Sequence, residues 1–303
     1  MDHTGYVKLY ETGELEKKAN RLAEVLENCS LCPRMCGVDR RAGEQGLCGI
    51  CDQAVVASFS PHHGEEPPLS GLFGSGTIFF SGCTLSCIFC QNWDISHGRR
   101  GRPVSSRKLA DMMISLQKQG CHNINLVTPT HVIPMWMDAL VLAAKDGLEI
   151  PLVYNSGGYE RLEILRELQG VVDIYLPDAK YWDSEASSMY SFARDYPERM
   201  RDNIKEMWRQ VGSLKTKNIG RGMEVAVRGL IVRHLVLPGG LSGTGNMVDF
   251  LAGISEDVAV NIMDQYRPCY KAIGHEVLGR RCTIEEYEVA MEKARKAGLH
   301  IIT

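Results

Sequence analysis

The sequence predicts an α/β fold, a partial, TIM-like (β/α)6 barrel behind a small N-terminal cysteine-rich segment, on three observations. Six apolar, strand-like runs alternate with helix-period segments from residue 77 onward. Strands separated by helices pair in parallel through right-handed crossovers, and six such units are too few to close an eight-stranded barrel. Of the eleven cysteines, five precede the first of these strands and three follow it directly.

Residues 14–27 read as a charged helix with Leu15, Leu22 and Val25 or Leu26 turned inward. It leads into Cys29, Cys32 and Cys36, then Gly43, Gly46, Cys48 and Cys51. The two C-x2-C pairs, Cys29/Cys32 and Cys48/Cys51, have zinc-ribbon spacing, with glycines for the tight turns around a metal. Cys29, Cys32, Cys36 and Cys48 serve equally well for an iron–sulfur cluster, which would leave Cys51 spare. A segment this short has little room for its own core and needs such a staple. Residues 55–59 suggest a strand and 61–68 a loop. Adjacent His62 and His63 face opposite ways in extended chain and are read as surface or packing residues. The boundary between segment (1–75) and barrel (76–303) is drawn from the cysteine pattern.

The six barrel strands are expected at 77–81, 123–128, 152–155, 172–177, 230–237 and 258–263. Between them Leu109, Met112, Met113 and Leu116 recur at helical spacing, as do Ile204, Met207, Trp208 and Val211. Pro134 and Pro197 suit first helical turns. Thr283 and Glu286 form a capping box opening a last helix that Gly298 stops. Active sites of such barrels lie at the carboxyl ends of the strands. Those ends present Thr128, Thr130 and His131, then Asn155 and Ser156, Asp178 and Lys180, Arg233, and Gln265.

The first strand runs into Cys83, Cys87 and Cys90, spaced C-x3-C-x2-C, with Phe89 just before the last. Soft thiolates at this spacing can converge on one iron–sulfur cluster. A [4Fe-4S] cube normally takes four cysteines, so three leave one iron open to a small molecule. A zinc site or a buried thiol group fits the three cysteines less well, because the spacing, Phe89 and the preceding apolar run agree with one another.

This loop resembles the binding signature of the radical S-adenosylmethionine (SAM) superfamily. The resemblance implies that Cys83, Cys87 and Cys90 ligate the cluster and that SAM chelates the open iron. Reductive cleavage of SAM would then give a 5′-deoxyadenosyl radical that abstracts hydrogen from a substrate. More closely, the chain is similar to relatives of the pyruvate formate-lyase activating enzyme that carry N-terminal cysteines. That likeness rests on residues 29–37, 82–92 and 128–131, Asp178 with Lys180, and 233–239. It implies that Lys180 and Arg233 contact the carboxylate or ribose of SAM and that Asn155 or Ser156 contacts the ribose, chemistry these side chains suit. Phe89, Thr128, Thr130, His131, Asp178 and Gln265 complete the expected cofactor-binding set.

Two features differ from that group: residues 128–131 replace its Gly-Gly-Glu motif, and the extra cysteines precede the cluster loop instead of following it. The expected function is hydrogen abstraction from a protein or peptide, including activation of a glycyl-radical enzyme, with a reductant such as flavodoxin or ferredoxin. Radical modification of a small molecule or another peptide side chain, and a non-catalytic iron–sulfur carrier or regulator, are the alternatives. A net charge of −3 gives no general attraction to nucleic acid or anionic membrane. With no apolar run of spanning length and a polar N-terminus, a cytoplasmic protein is expected.

Overall fold

The computed structural model describes residues 4–220 and 222–302. Its strands are β1 (Ala54–His62), β2 (Ser75–Phe80), β3 (Arg102–Val104), β4 (Ile124–Val127), β5 (Leu152–Ser156), β6 (Ile174–Pro177), β7 (Lys215–Asn218), β8 (Glu224–Leu235), β9 (Ala259–Met263) and β10 (His300–Ile301). They form one sheet in the order β10-β9-β8-β6-β5-β4-β2-β1-β3, with β7 paired to β8 outside that path. From β2 to β10 every neighbouring pair on the path is parallel. The six expected strands are β2, β4, β5, β6, β8 and β9, and the path ends at β10 and β3 without closing, so the barrel is partial.

Four strands lie outside the six expected barrel strands: β1, β3, β7 and the two-residue β10, which pairs parallel with β9. The run at 55–59 extends to His62 as β1 and pairs antiparallel with β2, so the sheet continues across residue 75. Strand β3 pairs antiparallel with β1. The β7–β8 hairpin has an exposed first strand with no apolar side to give it a period-two signal.

The helices are α1 (Gly5–Glu11), α2 (Glu14–Glu24), α3 (Pro67–Ser70), α4 (Trp93–Ser96), α5 (Ser106–Lys118), α6 (Ile133–Lys145), α7 (Leu162–Glu167), α8 (Ser184–Ser191), α9 (Tyr196–Val211), α10 (Thr244–Ile254) and α11 (Ile284–Lys296). The helix expected at 14–27 is α2 followed by a 3-10 turn, Val25–Asn28, and it buries Leu15, Leu22 and Leu26. Pro134 and Pro197 stand in the first turns of α6 and α9. Both halves of the Thr283–Glu286 capping box form, and Gly298 takes φ 74° just past α11. No helix among the described residues is long and apolar enough to cross a membrane.

Two cores result. The larger lies between sheet and helices and includes Leu109, Met113, Leu116, Trp136 and Met207. The smaller fills the barrel itself with Leu69, Val153, Ile174, Leu176, Ile231 and Ala259. Leu69 belongs to α3, so the turn between β1 and β2 plugs the barrel floor. Each Val, Leu or Ile among them contributes roughly 1.5–3 kcal/mol on burial. Above this floor the inward positions turn polar. Asn155 pairs in register with Val127 and Leu176, Arg233 with Asn261, and Asp178 bridges to Arg233. Side chains alternate across a strand, so a single register brings these polar groups to one level.

Candidate metal and cofactor site

The loop after β2 lies directly on the N-terminal cysteine segment. Gly82 has φ 83°, and a Cβ there would stand 2.6 Å from the Cys48 carbonyl oxygen and 3.1 Å from His131 Nε2. Only glycine permits that approach. Beyond it Cys83, Cys87 and Cys90 line a cavity of about 250 Å³. Each sulfur meets one polar group: Leu85 N–H donates to Cys83 (3.4 Å), Ser191 Oγ donates to Cys87 (2.9 Å), and Ser96 Oγ lies 3.1 Å from Cys90. Hydrogen bonds to the sulfurs are one of the levers by which a protein tunes an iron–sulfur cluster.

Burial pushes the Cys83 thiol up to about 12, helped by Cys87, and the Cys87 thiol up to about 11 against the pull of Lys180. A bound cation inverts that preference and makes thiolates of them. Among the described residues no three Cys, His, Asp or Glu side chains converge closely enough to hold a single ion. Three thiols that line one cavity, each with a polar partner, are a donor set that suits an iron–sulfur cluster.

Opposite the thiols stands a charged wall. Asp178 accepts from Lys180 Nζ at 2.5 Å and from Arg233 Nε at 2.8 Å. Arg233 also donates to Asn155 Oδ1 at 2.7 Å and lies 3.5 Å from Glu65. Burial alone would raise the Asp178 carboxyl, but Arg233 and Lys180 outweigh it and hold it low. Burial pushes Glu65 up to about 7 despite Arg233. Tyr196 fastens the end of β6: its hydroxyl donates to the Asp178 carbonyl (2.7 Å) and accepts from Lys180 N–H (3.0 Å). Gly158, at φ 76°, allows the close pass of β5, since a Cβ there would meet the Asp178 carbonyl oxygen at 2.3 Å.

Ten expected residues share this cavity: the three cysteines, Phe89, Thr128, Asn155, Asp178, Lys180, Arg233 and Gln265. Phe89 is buried edge-on to Tyr181 and Tyr266. Thr130, His131 and Ser156 are directed elsewhere. Thr130 donates to the buried Glu160 at 2.9 Å, and Ser156 follows the inward Asn155 and accepts from Gly158 N–H. His131 bonds the Ser81 carbonyl at 2.7 Å and faces the N-terminal cysteines.

Four of those cysteines, Cys29, Cys32, Cys36 and Cys48, line a second, small cavity. Cys51 points away, its sulfur 3.4 Å from the Gly43 carbonyl oxygen. All eleven thiols are free of disulfides. A larger cavity, about 550 Å³, lies between the end of β8 and α10 and α11 and contains no cysteine.

Sequence reasoning missed Glu65, Tyr196 and Ser191. The paired carboxylates Glu65 and Glu66 between loop residues were the one signal available. Nothing local marks a serine at the end of α8 as a cysteine partner.

An uncharacterized protein of Methanocaldococcus jannaschii is 32% identical over 298 residues, covering 95% of this chain and 80% of that protein. A second uncharacterized protein of that organism is 24% identical over 157 residues, 46% of either chain. The crystal structure of a radical SAM methyltransferase from Sphaerobacter thermophilus superposes with a TM-score of 0.51 at 13% identity, over 74% of this chain and 64% of that one, a likeness of fold. The Radical SAM superfamily signature matches residues 77–233. That span runs from β2 into β8 and takes in most of the wall around the thiol-lined cavity, and by it the chain belongs to the radical SAM superfamily, whose domain implies a [4Fe-4S] cluster and SAM.

Proposed function

We propose that Cys83, Cys87 and Cys90 hold the [4Fe-4S] cluster, that SAM lies against Asn155, Asp178, Lys180 and Arg233, and that the enzyme abstracts hydrogen from a protein or peptide in the manner of the pyruvate formate-lyase activating enzymes. The observation that carries this reading is the shared cavity: three thiols on one side and a carboxylate–ammonium–guanidinium–amide set on the other. When bound, the cluster and SAM supply hydrogen-atom abstraction through a 5′-deoxyadenosyl radical.

Asp178 holds Lys180 and Arg233 in place before any ligand arrives, so little side-chain entropy is lost when a carboxylate binds them. The Asn155 amide, already accepting from Arg233, keeps donor capacity for a hydroxyl. Phe89 lines the cavity and is held edge-on against the buried rings of Tyr181 and Tyr266.

A ring of exposed apolar side chains around the cluster loop favours a macromolecular substrate. Trp93 is 45% exposed and stacks on Tyr270, while Met189, Phe192 and Ile273 are 62%, 58% and 71% exposed. Backbone bonds from Ile88 to Tyr190 and from Ala272 to Ile88 fasten these segments to the loop. Such clustered apolar exposure marks interaction surfaces, and it serves a protein substrate or a reductant such as flavodoxin or ferredoxin. A second metal site at the N-terminal cysteines belongs to the same reading.

The substrate class is tested with extract from cells grown on deuterated amino acids, split by size and supplied with reconstituted protein, SAM and a reductant. Deuterium should enter 5′-deoxyadenosine with the macromolecular fraction. Transfer from the small-molecule fraction alone, undiminished by prior peptidase digestion, would overturn the protein or peptide assignment.

A further inference from the structure

We propose that Cys29, Cys32, Cys36 and Cys48, without Cys51, hold a second [4Fe-4S] cluster packed against the cluster loop of the first site. The inference stands apart from SAM turnover. The five thiols are not equivalent in the fold. A zinc ribbon would use both C-x2-C pairs and therefore Cys51. Cys51 instead lies outside the cavity, with its sulfur against Gly43 and Gln45. Cys36, which the ribbon count omits, lies inside it.

Gly46 makes room for that placement, because a Cβ there would stand 2.7 Å from Cys36 Sγ. Short backbone bonds set the turn: Gly37 N–H to the Cys29 carbonyl, Met35 N–H to the Cys32 carbonyl and Gly49 N–H to the Gly46 carbonyl, each 3.0 Å.

The cavity also carries a buried positive charge. Arg40 is 1% exposed and lines the same cavity. Its Nε donates to the Cys51 carbonyl (2.8 Å) and its Nη1 to the His131 carbonyl (2.8 Å), with Cys29 Sγ at 3.9 Å. Its Nη2 has no partner, and it forms no ion pair with a carboxylate among the described residues. A buried cation without a counter-charge is costly. Four thiolates around a [4Fe-4S] core carry net negative charge and supply the missing partner.

The site bears on its neighbour. The Cys48 carbonyl touches Gly82, and Arg34 donates to the Thr84 carbonyl at 2.9 Å, on either side of Cys83. A filled second site therefore helps position the loop of the first.

The test uses full-length protein carrying Cys83→Ala, Cys87→Ala and Cys90→Ala, incubated anaerobically with ferrous iron, sulfide and zinc, desalted and analysed for metal. About four irons with matching sulfide per chain are expected. Adding Cys36→Ala should remove them, and adding Cys51→Ala should leave them. One zinc per chain, loss on Cys51→Ala but not on Cys36→Ala, or no metal in a chain that circular dichroism shows folded would each overturn the assignment. Single variants with the first site intact keep the test decisive if the triple variant unfolds. Cys36→Ala should lose about half the iron of the parent and Cys51→Ala none, and equal iron in the two would contradict the proposal.

Discussion

Arg34 donates to the carbonyl of Thr84 at 2.9 Å, so a side chain from the N-terminal cysteine segment grips the residue next to Cys83. The same guanidinium donates to the Phe192 carbonyl at 2.5 Å and lies 5.2 Å from the centre of the Tyr159 ring. It thus ties the N-terminal segment, the cluster loop and the end of α8 together. Hydrogen bonds from a charged donor are worth about 1.5–3 kcal/mol. Arg34→Ala should lower unfolding free energy by about 2 kcal/mol and loosen iron retention, and Arg34→Lys should recover part of both. Denaturant unfolding with iron analysis checks this, and unchanged values in the alanine variant would place the grip outside the stability of the loop.

Lys180 and Arg233 should govern SAM affinity. Replacing either by methionine leaves Asp178 with one cation fewer and, on the proposed placement of SAM, removes a charge-assisted bond to its carboxylate. The loss of about 1.5–3 kcal/mol corresponds to a roughly ten- to hundred-fold weaker Kd. Equilibrium binding of SAM, with cluster content matched to the parent, measures it. Affinity equal to the parent in both variants would assign the pair to bracing the strand ends.

The six parallel strands and three cavity cysteines were legible because each has a short-range signature: an apolar run bounded by polar ends, and a fixed cysteine spacing. Asn155, Asp178, Lys180 and Arg233 were legible as strand-end residues, since parallel strands deliver their carboxyl ends to one face. Glu65 was not, because its loop enters the barrel by way of Leu69 and α3, a tertiary event without periodicity. Ser156 and Asn155 could not be told apart until the register fixed which one points inward. Whether Cys36 or Cys51 lines the small cavity likewise needed the folded turn, since both lie at metal-ligand spacing along the chain.

Ser191 should tune the cluster. Its hydroxyl donates to Cys87 Sγ at 2.9 Å and is itself positioned by Tyr181 at 2.8 Å. A hydrogen bond to a cluster sulfur stabilises the more negative, reduced form. Ser191→Ala should therefore lower the reduction potential, read by potentiometric titration of the EPR signal. Ser191→Thr, which keeps the hydroxyl, should stay near the parent. A potential that does not move in the alanine variant would remove Ser191 from the account.

Stability of the metal-free protein should fall as pH rises through neutrality, with Glu160 as one cause. Burial pushes its carboxyl up to about 7, only partly offset by hydrogen bonds from Tyr154 and Thr130. Its folded pKa therefore lies above its unfolded value near 4.5. Between those values the folded state holds a proton that the unfolded state has released. The stabilisation is complete below about 4.5 and is lost as pH climbs through about 7, a change on the order of 3 kcal/mol. Glu160→Gln keeps one acceptor oxygen for Tyr154 or Thr130, turns the other into an amide donor and removes the titrating group, so it should flatten that slope. Denaturant unfolding from pH 4.5 to 8 measures the difference, and an equal slope in parent and variant would exclude Glu160 as the source.

The most direct test of the central claim is EPR of the anaerobically reconstituted, reduced protein before and after SAM, with 5′-deoxyadenosine quantified in the same samples. The account predicts a [4Fe-4S] signal that SAM perturbs, accompanied by 5′-deoxyadenosine, and loss of that perturbation and product when Cys83, Cys87 or Cys90 is replaced by alanine. A fully loaded cluster at this loop whose signal SAM leaves unchanged, with no SAM cleaved, would contradict it.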